Sequence, residues 1–236
     1  LGALAQRFAS GRGTSASNHV LILLELRGGN DGLNTLAPIH DPAYRQARPT
    51  LALGDDAIAL ADGLALHPAL APLEPLWRRG RLGFALGVGW SHPNRSHFKA
   101  ADQWAVGDPS GEGAGWLARA YSARTQPGPL VALHATGCAA MEGGTPLALQ
   151  LGSAQLRGRP SLMPNHLAMD ASPVLRQMIA LESAGAREIE RLRGALAPPP
   201  VGLNLPPGDL SRQVKLALRL LGSGQCPPVL ALAQGG

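Results

Sequence analysis

Residues 19–26 read His-Val-Leu-Ile-Leu-Leu-Glu-Leu, an apolar run in which polar and apolar positions do not alternate. A run this short and this apolar fits a strand buried on both faces, as in a parallel sheet, better than a surface helix. It is followed at once by Arg27-Gly28-Gly29-Asn30-Asp31-Gly32. The glycines permit tight backbone geometry, and Asn30 and Asp31 bring oxygen atoms to the strand's carboxyl end. In open parallel sheets, ligands bind beyond that end.

The rest of the chain alternates helical and strand-like segments, which predicts an α/β fold. Asp41-Pro42 starts a short helix reaching about Arg48, and residues 57–60 form a brief edge strand. Leu70, Leu73, Leu76 and Trp77 recur at helical spacing between His67 and Arg79, with Pro68 in the first turn and Gly80 at the end. Residues 82–88 are read as a second buried strand, completing a strand-helix-strand unit with the first. Ser96 is the natural N-cap of a helix over 97–106, and residues 116–124 make another. Strands are expected at 130–134, 147–151 and 228–233, with 136–146 a loop between the first two. Ser172-Pro173 caps a long helix to about Leu196, in which Glu188–Arg191 and Glu190–Arg193 are i,i+3 pairs and Ile189 and Leu192 face inward. Residues 209–221 form an amphipathic helix ended by Gly222. With 236 residues, 45% hydrophobic and only 4% aromatic, the core must be Leu, Ala and Val packed between helices and sheet.

The net charge of +5 raises nucleic acid as a partner. However, Lys99 and Lys215 are the only lysines, and the arginines are scattered as Arg78-Arg79-Arg81, Arg157-Arg159 and Arg187-Arg191-Arg193 with no interleaved aromatic residues. That pattern is a solvated surface rather than a base-stacking groove, so no nucleic acid is expected. A binder driven by charge alone would lose affinity steeply with salt. Cys138 and Cys226 stand far apart, outside any Cys-x-x-Cys pairing. Residues 1–18 resemble the remnant of an export segment or a tether, and no stretch is long and apolar enough to span a bilayer.

Two loops carry the chemistry-bearing residues. In the first, the Asp31 carboxylate suits a divalent metal, and the alternative is a turn in which Asn30 and Asp31 bond their own backbone. In the second, His92, Asn94, Arg95, Ser96 and His97 crowd two imidazoles, a guanidinium and a hydroxyl into six residues. A helix N-terminus stabilises an alkoxide-like nucleophile or an anion at Ser96, and Arg95 suits a phosphate or sulfate oxygen. The alternative is a plain capping serine beside a solvent-facing histidine. Gly-x-Ser-x-Gly, Walker-type, His-Glu-x-x-His and complete Gly-x-Gly-x-x-Gly motifs are absent from the sequence. His40, His67, His134 and His166 read as structural, with His134 the best outside candidate because it ends a strand.

The segment Leu24-Glu-Leu-Arg-Gly-Gly-Asn-Asp-Gly-Leu-Asn34, with Pro38, Asp41-Pro-Ala-Tyr44 and Arg48-Pro49, resembles a bacterial family designated domain of unknown function 1501. Leu66-His-Pro-Ala-Leu70, Gly87-Val-Gly89, Pro93-Asn-Arg-Ser-His-Phe98, Trp104 and Gly115-Trp-Leu117 extend the resemblance over most of the chain. Members usually carry a twin-arginine export signal, and the family sits with the alkaline phosphatase and sulfatase superfamily. The resemblance implies a three-layer α/β/α sandwich with a mostly parallel central sheet over residues 19–236. It implies divalent metal bound at Asp31, with Asn30 and His92 as further ligands, zinc, calcium, magnesium and manganese being equally compatible. It also maps a hydroxyl nucleophile onto Ser96, with Arg95 and His97 beside it. Family members continue with Gly-Gly-Phe-Asp-Thr-His and Asp-His-Gly types of segment, so the chain is expected to be an amino-terminal part lacking later ligands.

The expected function is therefore an exported, metal-dependent hydrolase of phosphate or sulfate esters, periplasmic or secreted, acting on a small anionic ester. The alternative is a non-catalytic anion- or metal-binding or assembly protein on the same fold.

Overall fold

The computed structural model describes residues 19–124, 128–152 and 172–235. The expectations for residues 1–18, Arg157, Arg159 and His166 lie outside these. The chain is mixed α/β and divides into two units, a larger one of Leu1–Glu25 with His92–Gly235 and a smaller one of Leu26–Ser91.

The larger unit is built on a four-stranded, mostly parallel sheet of order β1-β7-β5-β6, where β1 is Leu21–Leu26, β5 Leu130–Ala132, β6 Ala148–Gln150 and β7 Val229–Gln234. Strand β5 runs parallel to both neighbours, with Val131 opposite Leu149 on one side and Leu230 on the other. Side chains alternate across the sheet, so each strand feeds two cores. On one face, Val131, Leu149, Leu230 and Leu232 pack with Leu192 of the long helix Pro173–Ala195 and with Leu216 and Leu220 of Asp209–Leu221. On the other, Leu130, Ala132, Val229 and Ala231 pack with Leu117 of helix Trp116–Ser122 and with Ala140 and Met141 of the 3₁₀ turn Ala139–Met141. Burying a single leucine of this kind contributes about 1.5–3 kcal/mol. Helices thus cover both faces of the sheet.

Local signals explain most boundaries. The Ser172 hydroxyl accepts from Leu175 N–H, and Arg191–Glu188 and Arg193–Glu190 pair along the helix it caps. The buried Gln213 amide clips the Asp209–Leu221 helix to the sheet, donating to the Ala233 carbonyl at 3.0 Å and accepting from Ala233 N–H at 2.8 Å. Helix Trp116–Ser122 starts at Gly115, where a Cβ would come within 2.3 Å of the Ala140 backbone. Only glycine allows that approach.

Strand β1 departs from expectation. It is not buried on both faces: Leu21 and Leu23 pack into the second core, whereas Ile22, Leu24 and Leu26 are exposed. The physical reason is position, because β1 ends the sheet order and the two long helices pack over β7, β5 and β6. An apolar strand is buried on both faces only when something lies over each.

In the smaller unit, β2 (Leu36–Pro38), β4 (Leu64–Leu66) and β3 (Ile58–Ala59) form an antiparallel sheet of order β2-β4-β3, with β3 the expected edge strand. Its core is Ala37, Leu53 and Tyr44, the last from helix Pro42–Ala47, which Asp41 caps. The helical segment after His67 is split into a 3₁₀ turn, Pro68–Leu73, and a short helix, Glu74–Arg78. Pro72 and Pro75 remove N–H donors that a continuous α-helix would use. Residues 82–88, expected to be a buried strand, are not one. Leu82 and Phe84 are half-buried, and Phe84 leans on Trp77 with ring centroids 6.0 Å apart. Leu86 and Val88 are exposed, and Gly87 turns the backbone at φ +63°. The segment has strand-like composition but joins neither sheet, so no strand-helix-strand unit forms there.

Candidate functional site

The two sequence-derived loops fall in different units. Asn30 and Asp31 belong to the smaller, and His92, Arg95, Ser96 and His97 to the larger.

In the first loop, Gly28 takes φ +104° and turns the chain out of β1. Asp31 then caps a one-turn helix, Gly32–Thr35, its Oδ1 accepting from Asn34 N–H at 3.3 Å. Its Oδ2 meets Arg48 Nη1 at 2.5 Å. The Thr35 hydroxyl donates to the Asp31 carbonyl, and the Asn30 amide donates to Thr35 Oγ1 at 3.4 Å. Behind them, Tyr44 OH donates to Asn34 Oδ1 at 2.8 Å and accepts from Leu53 N–H at 2.9 Å, while the Asn34 amide donates to the Leu51 carbonyl. The hydrogen bond from the Arg48 guanidinium holds the Asp31 carboxyl below the usual carboxylate range, against a smaller opposing effect of desolvation. Both carboxylate oxygens are therefore engaged by protein donors.

The second loop is organised differently. Ser96 caps the ten-residue helix His97–Val106, which Gly107 ends in the left-handed conformation. Ser96 Oγ accepts from Lys99 N–H at 3.4 Å, and Asn94 Oδ1 accepts from Ser96 N–H at 2.7 Å. His92, Arg95, Ser96, His97 and Phe98 are all exposed. The helix is anchored along its length: Lys99 Nζ in the first turn donates to the Ser110 carbonyl, buried Gln103 donates to the Pro109 carbonyl at 2.7 Å, and Arg119 donates to the Val106 carbonyl. A fixed helix thus presents its free N–H groups, a hydroxyl, a guanidinium and an imidazole to solvent. Such an end attracts anions.

Among the described residues, no group of three or more His, Cys, Asp or Glu side chains gathers to hold a metal ion. Of the three residues implied as ligands, Asn30 is held by Thr35 and Asp31 by Arg48 and Asn34. The smaller unit also contains a groove of about 270 Å³ lined by Leu36, Leu60, Leu64, Trp77, Phe84 and Leu86. Its apolar walls offer an anion nothing.

Sequence reasoning missed two pairings. Arg48 reaches Asp31 across 17 residues, and the Cys138 thiol donates to Glu25 Oε1 at 3.4 Å across 113. No local pattern encodes either one. His134, singled out for ending a strand, is buried just past β5 with its Nδ1 at 3.1 Å from Thr136 Oγ1. His67 caps the 3₁₀ turn by accepting from Ala69 N–H, a structural role as expected. Neither Cys138 nor Cys226 is in a disulfide, and burial pushes the Cys226 thiol up to about 11.

No family model, curated protein or solved structure matches this chain.

Proposed function

We propose that this chain belongs to an exported hydrolase of phosphate or sulfate esters on an alkaline-phosphatase-like three-layer α/β/α sandwich. The observation that carries the reading is Ser96, an exposed hydroxyl at the N-terminus of an anchored ten-residue helix with Arg95 and His97 on either side in sequence. The mostly parallel sheet with helices on both faces is compatible with the sandwich, and the loop sequences resemble the family described above.

In this reading Ser96 Oγ attacks the ester phosphorus or sulfur, and the bond to the alcohol oxygen breaks. The serine proton passes to an exposed imidazole, His92 or His97, which returns a proton to the leaving alcohol. Water then attacks the seryl ester, releases phosphate or sulfate and restores the hydroxyl. Arg95 and the helix N–H groups neutralise the anion as charge builds on its oxygens. A divalent metal, where bound, would supply Lewis-acid stabilisation of those oxygens. The donors around Asp31 do not fit that group, since both carboxylate oxygens are already engaged. No step here depends on a metal.

The test is a panel of aryl phosphates and aryl sulfates turned over by the wild-type chain and by Ser96→Ala. Ester cleavage above background that disappears in the variant supports the hydrolase. Equal, background-level rates overturn it. A second reading, a non-catalytic anion- or metal-binding or assembly protein, is favoured by the capping role that Ser96 Oγ already has. It predicts inorganic phosphate binding that weakens in Arg95→Gln, with no turnover. Export to the periplasm or medium is part of the first reading and is tested by fractionating cells that produce the native precursor.

A further inference from the structure

We infer that Arg48 is the resident counter-cation of Asp31, closing the 28–32 turn with an internal ion pair where the resemblance implies a divalent metal. The inference does not rest on the ester-hydrolase reading and concerns the other loop.

Three observations carry it. First, each carboxylate oxygen already accepts from a protein donor: Oδ2 lies 2.5 Å from Arg48 Nη1 and Oδ1 accepts from Asn34 N–H at 3.3 Å. Second, Arg48 is held in place rather than waving in solvent. Its side chain is only 21% exposed, its N–H donates to the Tyr44 carbonyl and its carbonyl accepts from Ala52 N–H. Third, the pair is the outer part of a continuous network in which Tyr44, Asn34, Leu51 and Leu53 tie the one-turn helix to the segment after Arg48. Moving Arg48 aside to admit a cation would leave its guanidinium without this partner and loosen the turn. A guanidinium stays charged throughout the accessible pH range and donates in fixed directions. A hard cation instead demands several oxygens at once, and among the described residues no second acidic, His or Cys cluster supplies them.

The experiment uses the whole chain with Asp31→Asn, Arg48→Gln and the double variant. Asparagine keeps the capping acceptor, so the substitution isolates the charge. Each single variant is expected to lower Tm by about 1–4 °C, and the double variant no further than the larger single loss, because both remove one interaction. Magnesium, calcium, manganese and zinc chlorides, titrated one at a time by calorimetry, are expected to act alike on wild type and Asp31→Asn. Additive losses of Tm would overturn the inference. So would metal binding by the wild type that weakens tenfold or more in Asp31→Asn. If Arg48→Gln fails to fold, Arg48→Lys keeps the charge, and wild-type metal binding compared with Asp31→Asn still decides the question. Absence of Ser96-dependent turnover leaves all these readouts untouched, so the two proposals fail separately.

Discussion

The two candidate loops differ in how their polar groups are used. In the 28–35 segment, hydrogen bonds turn inward: Asp31, Asn34 and Thr35 bond one another, Arg48, Tyr44 and nearby backbone. In the 92–98 segment, Asn94 and Ser96 make one local bond each to backbone N–H groups, and Arg95 and His97 project into solvent from the start of an anchored helix. Density of polar residues alone does not separate a brace from a receptive surface. What separates them is whether the donors and acceptors are already matched within the fold.

Four measurements would break or sharpen that contrast. The largest effect is expected at Ser96: Ser96→Ala should cut aryl ester turnover by about 10³-fold or more if the open loop is chemical. A retained rate would reassign Ser96 to capping alone. Next, Tyr44→Phe should cost about 1–3 kcal/mol in chemical denaturation, because it strands the buried Leu53 N–H and the Asn34 carbonyl oxygen. An unchanged midpoint would mean that the first loop is not braced through Tyr44. Arg95→Gln should weaken inorganic phosphate binding about tenfold, read by calorimetry at fixed ionic strength, with little change in Tm. Loss of stability instead would give Arg95 a structural role. The smallest effect concerns pH. The Asp31 carboxyl titrates below its ordinary value, so its contribution is present above that ordinary value and disappears as pH falls through the lower folded one. The Tm gap between wild type and Asp31→Asn should therefore be constant near neutrality and close on acidification. A gap that widens in acid would reverse the assignment.

Much of this architecture was legible because its signals are local. Asp41, Ser96 and Ser172 announce helices through their capping chemistry, and the inward positions of Ile189 and Leu192 follow from helical spacing. The same reading failed where the outcome depends on distant segments. Strands β7 and β1 each hold five apolar residues and one polar, yet all five apolar residues of β7 are buried and the residues of β1 alternate between half-buried and exposed. Nothing within either run states what will lie across it. Residues 82–88 failed for a related reason, since composition alone does not make a strand and this segment pairs with neither sheet. The site followed the same rule: Ser96 is a cap and could be read, whereas Arg48 as partner of Asp31 required the fold.

The order of strands also sets a timetable for the molecule. Strand β7 lies between β1 and β5, although roughly 200 residues of chain separate it from β1. During synthesis, β1 emerges early and must wait until the middle of its own sheet has been made. Its exposed Ile22 and Leu24, together with an unfilled edge, face solvent throughout that interval, so assembly should be slow and sensitive to anything that captures nascent strands.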